Sequence, residues 1–337
     1  MSQIDTPNLF TYATSELSQD AVLAYTLAWA DPKHASTEGK MHRIGQEFVR
    51  LLLGLHEIKG ALDITEVQVK AQHKNIDVIA RIDTDRGTFV LVIEDKIHAG
   101  SYNDLPKYLA AAAGETYPDT ELLGIYLRTG SQANYRAIED EGFQVLDRAA
   151  FLAFLDSKSC DGLSNAILLE YRRHLHSIES AYNAYQDSAI TTWNGTAWVG
   201  FYHKKLIPND SLYFGDYGYI SNPQGGFNGC WWTNAVRKEF DGYPVYLQLE
   251  EATLTFKVGP VEDKAGRTAL ARKLSKHIVT QVEDANPLGI YRPLRLSPGK
   301  YMTVAKVDLI DHLGTDAEYN DVLKYLQQVQ NFYFSIL

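Results

Sequence analysis

Two acidic side chains and a lysine carry the sharpest chemical signal in this sequence: Asp77 and, seventeen residues on, the Glu94 and Lys96 of Glu94-Asp95-Lys96. Residues two apart in an extended strand face the same side, so Glu94 and Lys96 point together and Asp95 points away. The tripeptide closes the run Phe89-Val90-Leu91-Val92-Ile93, which is apolar on both faces. Three charges ending a buried strand are costly unless they are paired or bind a cation. Carboxylates at adjacent strand ends offer the hard oxygen ligands that Mg²⁺ or Mn²⁺ takes. Such an ion lowers the pKa of water and polarises a phosphodiester. A lysine beside them supplies charge where the transition state of hydrolysis gains it. The plainer alternative is a structural salt bridge, and Glu-x-Lys alone is too short to choose. Asp77 on a neighbouring strand shifts the weight toward metal-assisted hydrolysis.

The surrounding periodicity supplies elements to hold these groups. A helix is expected over 15–30, with Leu17, Ala21, Ala24, Tyr25 and Ala28 on its apolar stripe, ending at Asp31-Pro32. A second, over 40–57, carries Ile44, Phe48, Leu51, Leu52 and Leu55. Strands are expected at 65–71, 76–82 and 88–97, the last covered on both sides. A helix near 103–113, strands at 122–127 and 143–145, and helices at 149–156 and 162–187 follow. After about 190, tryptophans and tyrosines crowd among glycines; strands at 243–250 and 252–258 and helices at 264–284 and 316–335 come next. The reading is an α/β fold with a mixed sheet flanked by helices over 1–188, and a second, α+β domain over 189–337.

The segment Asn75-Ile76-Asp77-Val78-Ile79, followed by Phe89 through Ile97, resembles the core of the PD-(D/E)XK nuclease superfamily, with Ile76 in the place of the proline. In that core a hairpin carries Asp on one strand and (Asp/Glu)-x-Lys on the next. The Ser15-Glu16-Leu17-Ser18 start, Asp31-Pro32 and the strand end Ile125-Tyr126-Leu127-Arg128-Thr129-Gly130 are similar to one bacterial subgroup, over roughly residues 12–180. Val245–Glu250 resembles C-terminal segments attached to that subgroup. The resemblance implies a restriction-endonuclease-like sheet and a Mg²⁺- or Mn²⁺-dependent DNA endonuclease of restriction or anti-phage defence, with Asp77, Glu94 and Lys96 catalytic. It also implies a glutamate from the preceding helix, for which Glu47 is the first candidate and Glu16 the second. Relatives carry Gln-Leu-x-x-Tyr on the next helix; here the stretch is Asp104-Leu105-Pro106-Lys107-Tyr108, which departs at Asp104.

Further constellations are weaker. His98 could touch substrate or be a polar loop residue. Lys107 could meet phosphate or be solvated. Lys264, Arg267, Arg272, Lys273 and Lys276 share one expected helix; Arg272, Lys273 and Lys276 are the best candidates there for a backbone-binding strip, although a charge run is usually a solvated face. Phe227-Asn228-Gly229-Cys230-Trp231-Trp232 could stack bases, and more simply forms a core. There is no HExxH, P-loop, dinucleotide fingerprint or nucleophile elbow.

Composition bounds the function. The chain has 337 residues, 45% hydrophobic and 22% charged, with room for two cores. The net charge of −10 opposes non-specific coating of DNA and leaves a local basic groove to do the binding. Cys160 and Cys230 form no disulfide framework, no apolar run reaches membrane length, and no secretory signal opens the chain, so a cytoplasmic protein without a membrane partner is expected. A homodimer and a defence-system partner protein are the associations this reading admits. Its competitor is a non-catalytic, nuclease-like nucleic-acid-binding or sensor protein.

Overall fold

The structure is a computed structural model that describes residues 7–97, 104–114, 120–222, 225–282 and 286–337. The chain divides into two compact units, Met1–Ser131 with Tyr135–Glu179, and Gln132–Asn134 with Ser180–Leu337. The dividing line falls at Glu179/Ser180, nine residues before the boundary expected at 188.

The first unit runs α1 (Glu16–Ala28), α2 (Gly39–Leu55), β1 (Ile64–His73), β2 (Ile76–Thr84), β3 (Gly87–Lys96), α3 (Leu105–Ala113), β4 (Thr120–Arg128), α4 (Arg136–Glu139), β5 (Phe143–Asp147), α5 (Arg148–Leu155) and most of α6 (Ala166–Asn183), which crosses the dividing line. Its mixed sheet has the order β1-β2-β3-β4-β5. The first three strands form an antiparallel meander, and β4 and β5 add in parallel. Lys74 and Asn75 both take positive φ between β1 and β2, the two-residue turn whose twist suits a hairpin. β2 and β3 are antiparallel neighbours with Val78 opposite Ile93, so residues 77 and 94 fall at the same end of the sheet.

β3 is buried on both faces. Phe89, Leu91 and Ile93 join the larger core with Leu23, Leu27, Phe48 and Tyr171. Val90 and Val92 join a smaller one with Leu105 and Phe143. α2 turns in Met41, Ile44, Phe48 and Leu52, three to four residues apart. Gly45 lets α2 cross α1 closely: a Cβ there would meet the Ala30 nitrogen at 2.5 Å and the Thr26 oxygen at 2.8 Å. α1 differs from its expected orientation. Leu17 is exposed, and the buried stripe is Gln19, Asp20, Val22, Leu23, Thr26 and Leu27. Small alanines had suggested the wrong face; the larger Val22, Leu23 and Leu27 gain more from burial and carry two polar residues in with them.

The second unit holds α7 (Gly195–Phe201), β6 (Phe214–Asn222), β7 (Gly225–Trp232), β8 (Lys238–Phe240), β9 (Tyr243–Glu250), β10 (Thr253–Val258), α8 (Arg267–Thr280), β11 (Met302–Asp308), α9 (Leu309–Leu313) and α10 (Tyr319–Ile336). Its antiparallel sheet has the order β11-β10-β9-β7-β6, with β8 on β9. Val245, Leu247, Leu249, Leu254 and Phe256 meet Leu274 of α8 and Leu326 of α10. Trp232 is fully buried against Tyr333 and Phe334, at centroid distances of 4.8 and 5.5 Å. β6, β7, β8 and β11 were not anticipated. Closely spaced glycines dilute the period-two signal in β6 and β7, and the three-residue β8 is too short to show one. No helix among the described residues is long and apolar enough to cross a membrane.

Candidate active site

Asp77 enters at the start of β2, and Glu94 and Lys96 close β3. The Lys96 Nζ lies 2.7 Å from Glu94 Oε1, 3.6 Å from Asp77 Oδ2 and 3.7 Å from Glu16 Oε2. It also donates to the Asp95 carbonyl at 2.8 Å. The Asp95 N–H donates to Asp77 Oδ2 at 2.9 Å, so the strand backbone itself orients the aspartate. Glu94 is only 4% exposed, and its Oε2 has no hydrogen-bond partner among the described residues. Burial pushes the Glu94 carboxyl up to about 7, against the pull of Lys96 and with the repulsion of Asp77. Burial works to lower the Lys96 ammonium, but the hydrogen bond and charge of Glu94, helped by Asp77 and Glu16, hold it above its ordinary value.

Asp95 points to the other face, as strand alternation requires, and it is fully buried. Gln19 donates to its Oδ1, and Tyr171 donates to Gln19 Oε1 at 2.7 Å. Burial followed by the charge of Asp77 pushes Asp20 up to about 6, and neither Asp20 Oδ1 nor Asp95 Oδ2 has a hydrogen-bond partner among the described residues. Asp95 is held well above the usual carboxylate range by burial, with Asp20, Asp77 and Glu16 adding repulsion. Gln72 links this network to the site: its Nε2 donates to Asp20 Oδ2 at 2.8 Å and to Asp77 Oδ1 at 3.3 Å. Glu16, Asp20, Gln72, Asp77 and Ile97 help to line a cleft of about 460 Å³.

The structure thus brings Asp77, Glu94 and Lys96 together. Glu47 does not join them. It is half-exposed on α2 and pairs with Arg50 at 2.7 Å. The helix carboxylates that meet the set come from α1: Glu16, whose Oε1 also accepts from the Ile97 N–H at 3.2 Å, and Asp20. Lys107 is exposed and paired with Asp104. The Tyr108 phenol is raised by its burial and by the neighbouring Glu94 and Asp104. On α8, Arg272 is exposed, Lys273 is held by Asp241 at 2.7 Å, and Lys276 lines a separate cleft with Phe240 and His277. His98 lies outside the described residues. Gln19, Asp20, Gln72 and Tyr171 were missed. The available signal was Gln19-Asp20 lying one helical turn before Val22 and Leu23 and two before Leu27.

The chain matches no known family model, no curated protein and no solved structure. Among the described residues no group of three or more His, Cys, Asp or Glu is arranged to cage a metal ion. The donor set fits a looser mode of binding. Mg²⁺ commonly keeps several waters and uses one or two carboxylates plus substrate oxygens. Asp77 and Glu94 are both oxygen donors, and the buried, unpartnered Glu94 Oε2 is free to ligate.

Proposed function

We propose that this chain is a metal-dependent nuclease that hydrolyses phosphodiester bonds, with DNA as the foremost substrate. The observation that carries the reading is the convergence of Lys96 on Glu94 and Asp77 at one end of the sheet, at 2.7 and 3.6 Å. Asp77 and Glu94 are the residues to hold Mg²⁺ or Mn²⁺, which when bound supplies Lewis acidity toward a phosphate and water. The Asp95 N–H fixes the Asp77 carboxylate, and Gln72 holds its other oxygen. Lys96 keeps its proton at any working pH, so it acts as a fixed positive charge toward the charge that develops on the phosphate. Glu16, already 3.7 Å from Lys96, orients that ammonium and is the helix carboxylate of the set. The likeness of residues 12–180 to a bacterial nuclease subgroup supports DNA as the substrate and defence as the setting.

A second reading, a non-catalytic nuclease-like binding module, is favoured by one observation. The 2.7 Å Lys96–Glu94 pair neutralises part of the acidic set within the protein itself, as a purely structural pair would. Cleavage of plasmid, single-stranded DNA and RNA in Mg²⁺ or Mn²⁺, with EDTA controls, separates the two. The nuclease reading expects metal-dependent cleavage of DNA that Asp77→Ala abolishes. Metal binding without cleavage, with Asp77→Ala identical to wild type, favours the binding module.

A further inference from the structure

The segment 286–306 carries Arg292, Arg295, Lys300 and Lys306 and no carboxylate, in a chain whose net charge is −10. Much of it is an exposed loop of the second unit, yet it is anchored. Ile290 is buried in the core, and its backbone exchanges hydrogen bonds with the Asn286 side chain at 3.0 and 3.1 Å. Tyr291 and Lys306 trade backbone bonds at 3.0 and 2.9 Å, which ties the loop to the edge strand β11. At its far end the Lys300 carbonyl accepts from the Val261 N–H at 2.8 Å. Pro293 and Pro298 stiffen the stretch between these anchors. A loop fixed in this way loses little conformational freedom on binding.

Its outward residues are unusual for a solvated loop. Arg292 and Arg295 are exposed, with no ion-pair partner among the described residues. Leu294 between them is fully exposed, and Tyr291 and Tyr301 are 39% and 52% exposed. Lys306 holds its ammonium 5.3 Å above the Tyr291 ring, and among the described residues Lys300 is the one of these four cations that is ion-paired, to Glu262. Unpaired cations interleaved with exposed aromatic and aliphatic surface suit a chain with a regular negative backbone and flat apolar faces. The helix expected to play this part offers less, because Lys273 of α8 is already bound to Asp241.

We propose that the loop 290–301 is a single-stranded nucleic-acid grip, in which Arg292 and Arg295 contact phosphates and Tyr291 and Tyr301 stack bases. The choice of nucleic acid over other polyanions rests on the nuclease reading. The test is fluorescence anisotropy of a labelled 20-nucleotide oligo-dT with the full chain at low salt in EDTA, where turnover plays no part. Binding is read without turnover and cleavage is assayed apart from it, so failure of catalysis and failure of this surface are separately visible. Arg292→Glu/Arg295→Glu should weaken binding at least tenfold and reduce the log–log salt slope by about 1.4, the value for two lost contacts to a single strand. Tyr291→Ala/Tyr301→Ala should weaken it by about tenfold or more at an unchanged slope. Circular dichroism melts of both variants guard against misfolding.

Equal binding by wild type and both loop variants, or loss of binding only in Lys273→Glu/Lys276→Glu on α8, overturns the proposal. So does tight binding of a duplex with no effect of the tyrosine pair. Cosedimentation with vesicles of phosphatidylcholine and phosphatidylglycerol, without oligonucleotide binding, overturns it in favour of a membrane surface.

Discussion

At the scale of single residues, the account turns on which carboxylates gather around Lys96. Glu16 and Glu47 make opposite predictions. Glu16→Ala removes the group that orients the Lys96 ammonium and should lower cleavage by about 10- to 100-fold, the usual cost of losing an outer-shell partner. Glu47→Ala breaks only a half-exposed pair with Arg50 and should leave cleavage at the wild-type level. Initial rates on one DNA substrate check both. The pH dependence of the metal-free protein follows from the raised carboxyls. Asp20, ordinarily 3.8, is pushed to about 6, and Glu94, ordinarily 4.5, to about 7. The folded state therefore holds these protons more tightly than the unfolded chain. The associated stability is fully present below about pH 4 and is lost as pH rises through 6 and 7. Melting in EDTA should show Tm falling between pH 4 and 7 from this source. Asp20→Asn, which keeps an acceptor for Gln72, should flatten the lower part of that fall and raise Tm at pH 8. An unchanged slope in Asp20→Asn would show that Asp20 titrates normally.

At the scale of elements, α1 decides whether the site assembles, because it brings Glu16, Gln19 and Asp20 to the ends of β2 and β3. Its position depends on the close crossing with α2 at Gly45, where any side chain runs into α1 backbone. Gly45→Ala should cost about 1–3 kcal/mol through overpacking. It should also reduce cleavage, because α1 must move away and take Glu16 with it; denaturant melts and rates together check this. The same helix marks the limit of sequence reading. The β2–β3 hairpin was legible because β3 is apolar on both faces and stops abruptly at three charges. The face of α1 was not, because alanines give a weak stripe and a buried Gln19-Asp20 pair looks like a solvated one until its partners Tyr171, Gln72 and Asp95 arrive from distant segments. Glu47 looked inward because it borders the Ile44–Phe48 stripe, and Arg50, one turn on, holds it at the surface. In the second unit, glycine spacing concealed β6 and β7, while the alternation of β9 and β10 was plain.

At the scale of the whole molecule, each unit carries its own core, and Asp77, Glu94 and Lys96 gather at one end of the first unit's sheet. The net charge of −10 makes contact with DNA dependent on local basic groups, so any cleavage should fall steeply with added salt. The central claim is that the acidic pair holds the metal while Lys96 serves the reaction. Its most direct test measures both quantities on one variant: Mn²⁺ affinity by electron paramagnetic resonance, and DNA cleavage under single turnover, for wild type and Lys96→Ala. The account predicts that Lys96→Ala binds Mn²⁺ at least as tightly as wild type, since the ammonium no longer competes for Glu94, while cleavage falls by about 100- to 1000-fold. Cleavage by Lys96→Ala at the wild-type rate, or loss of Mn²⁺ binding along with activity, would contradict it.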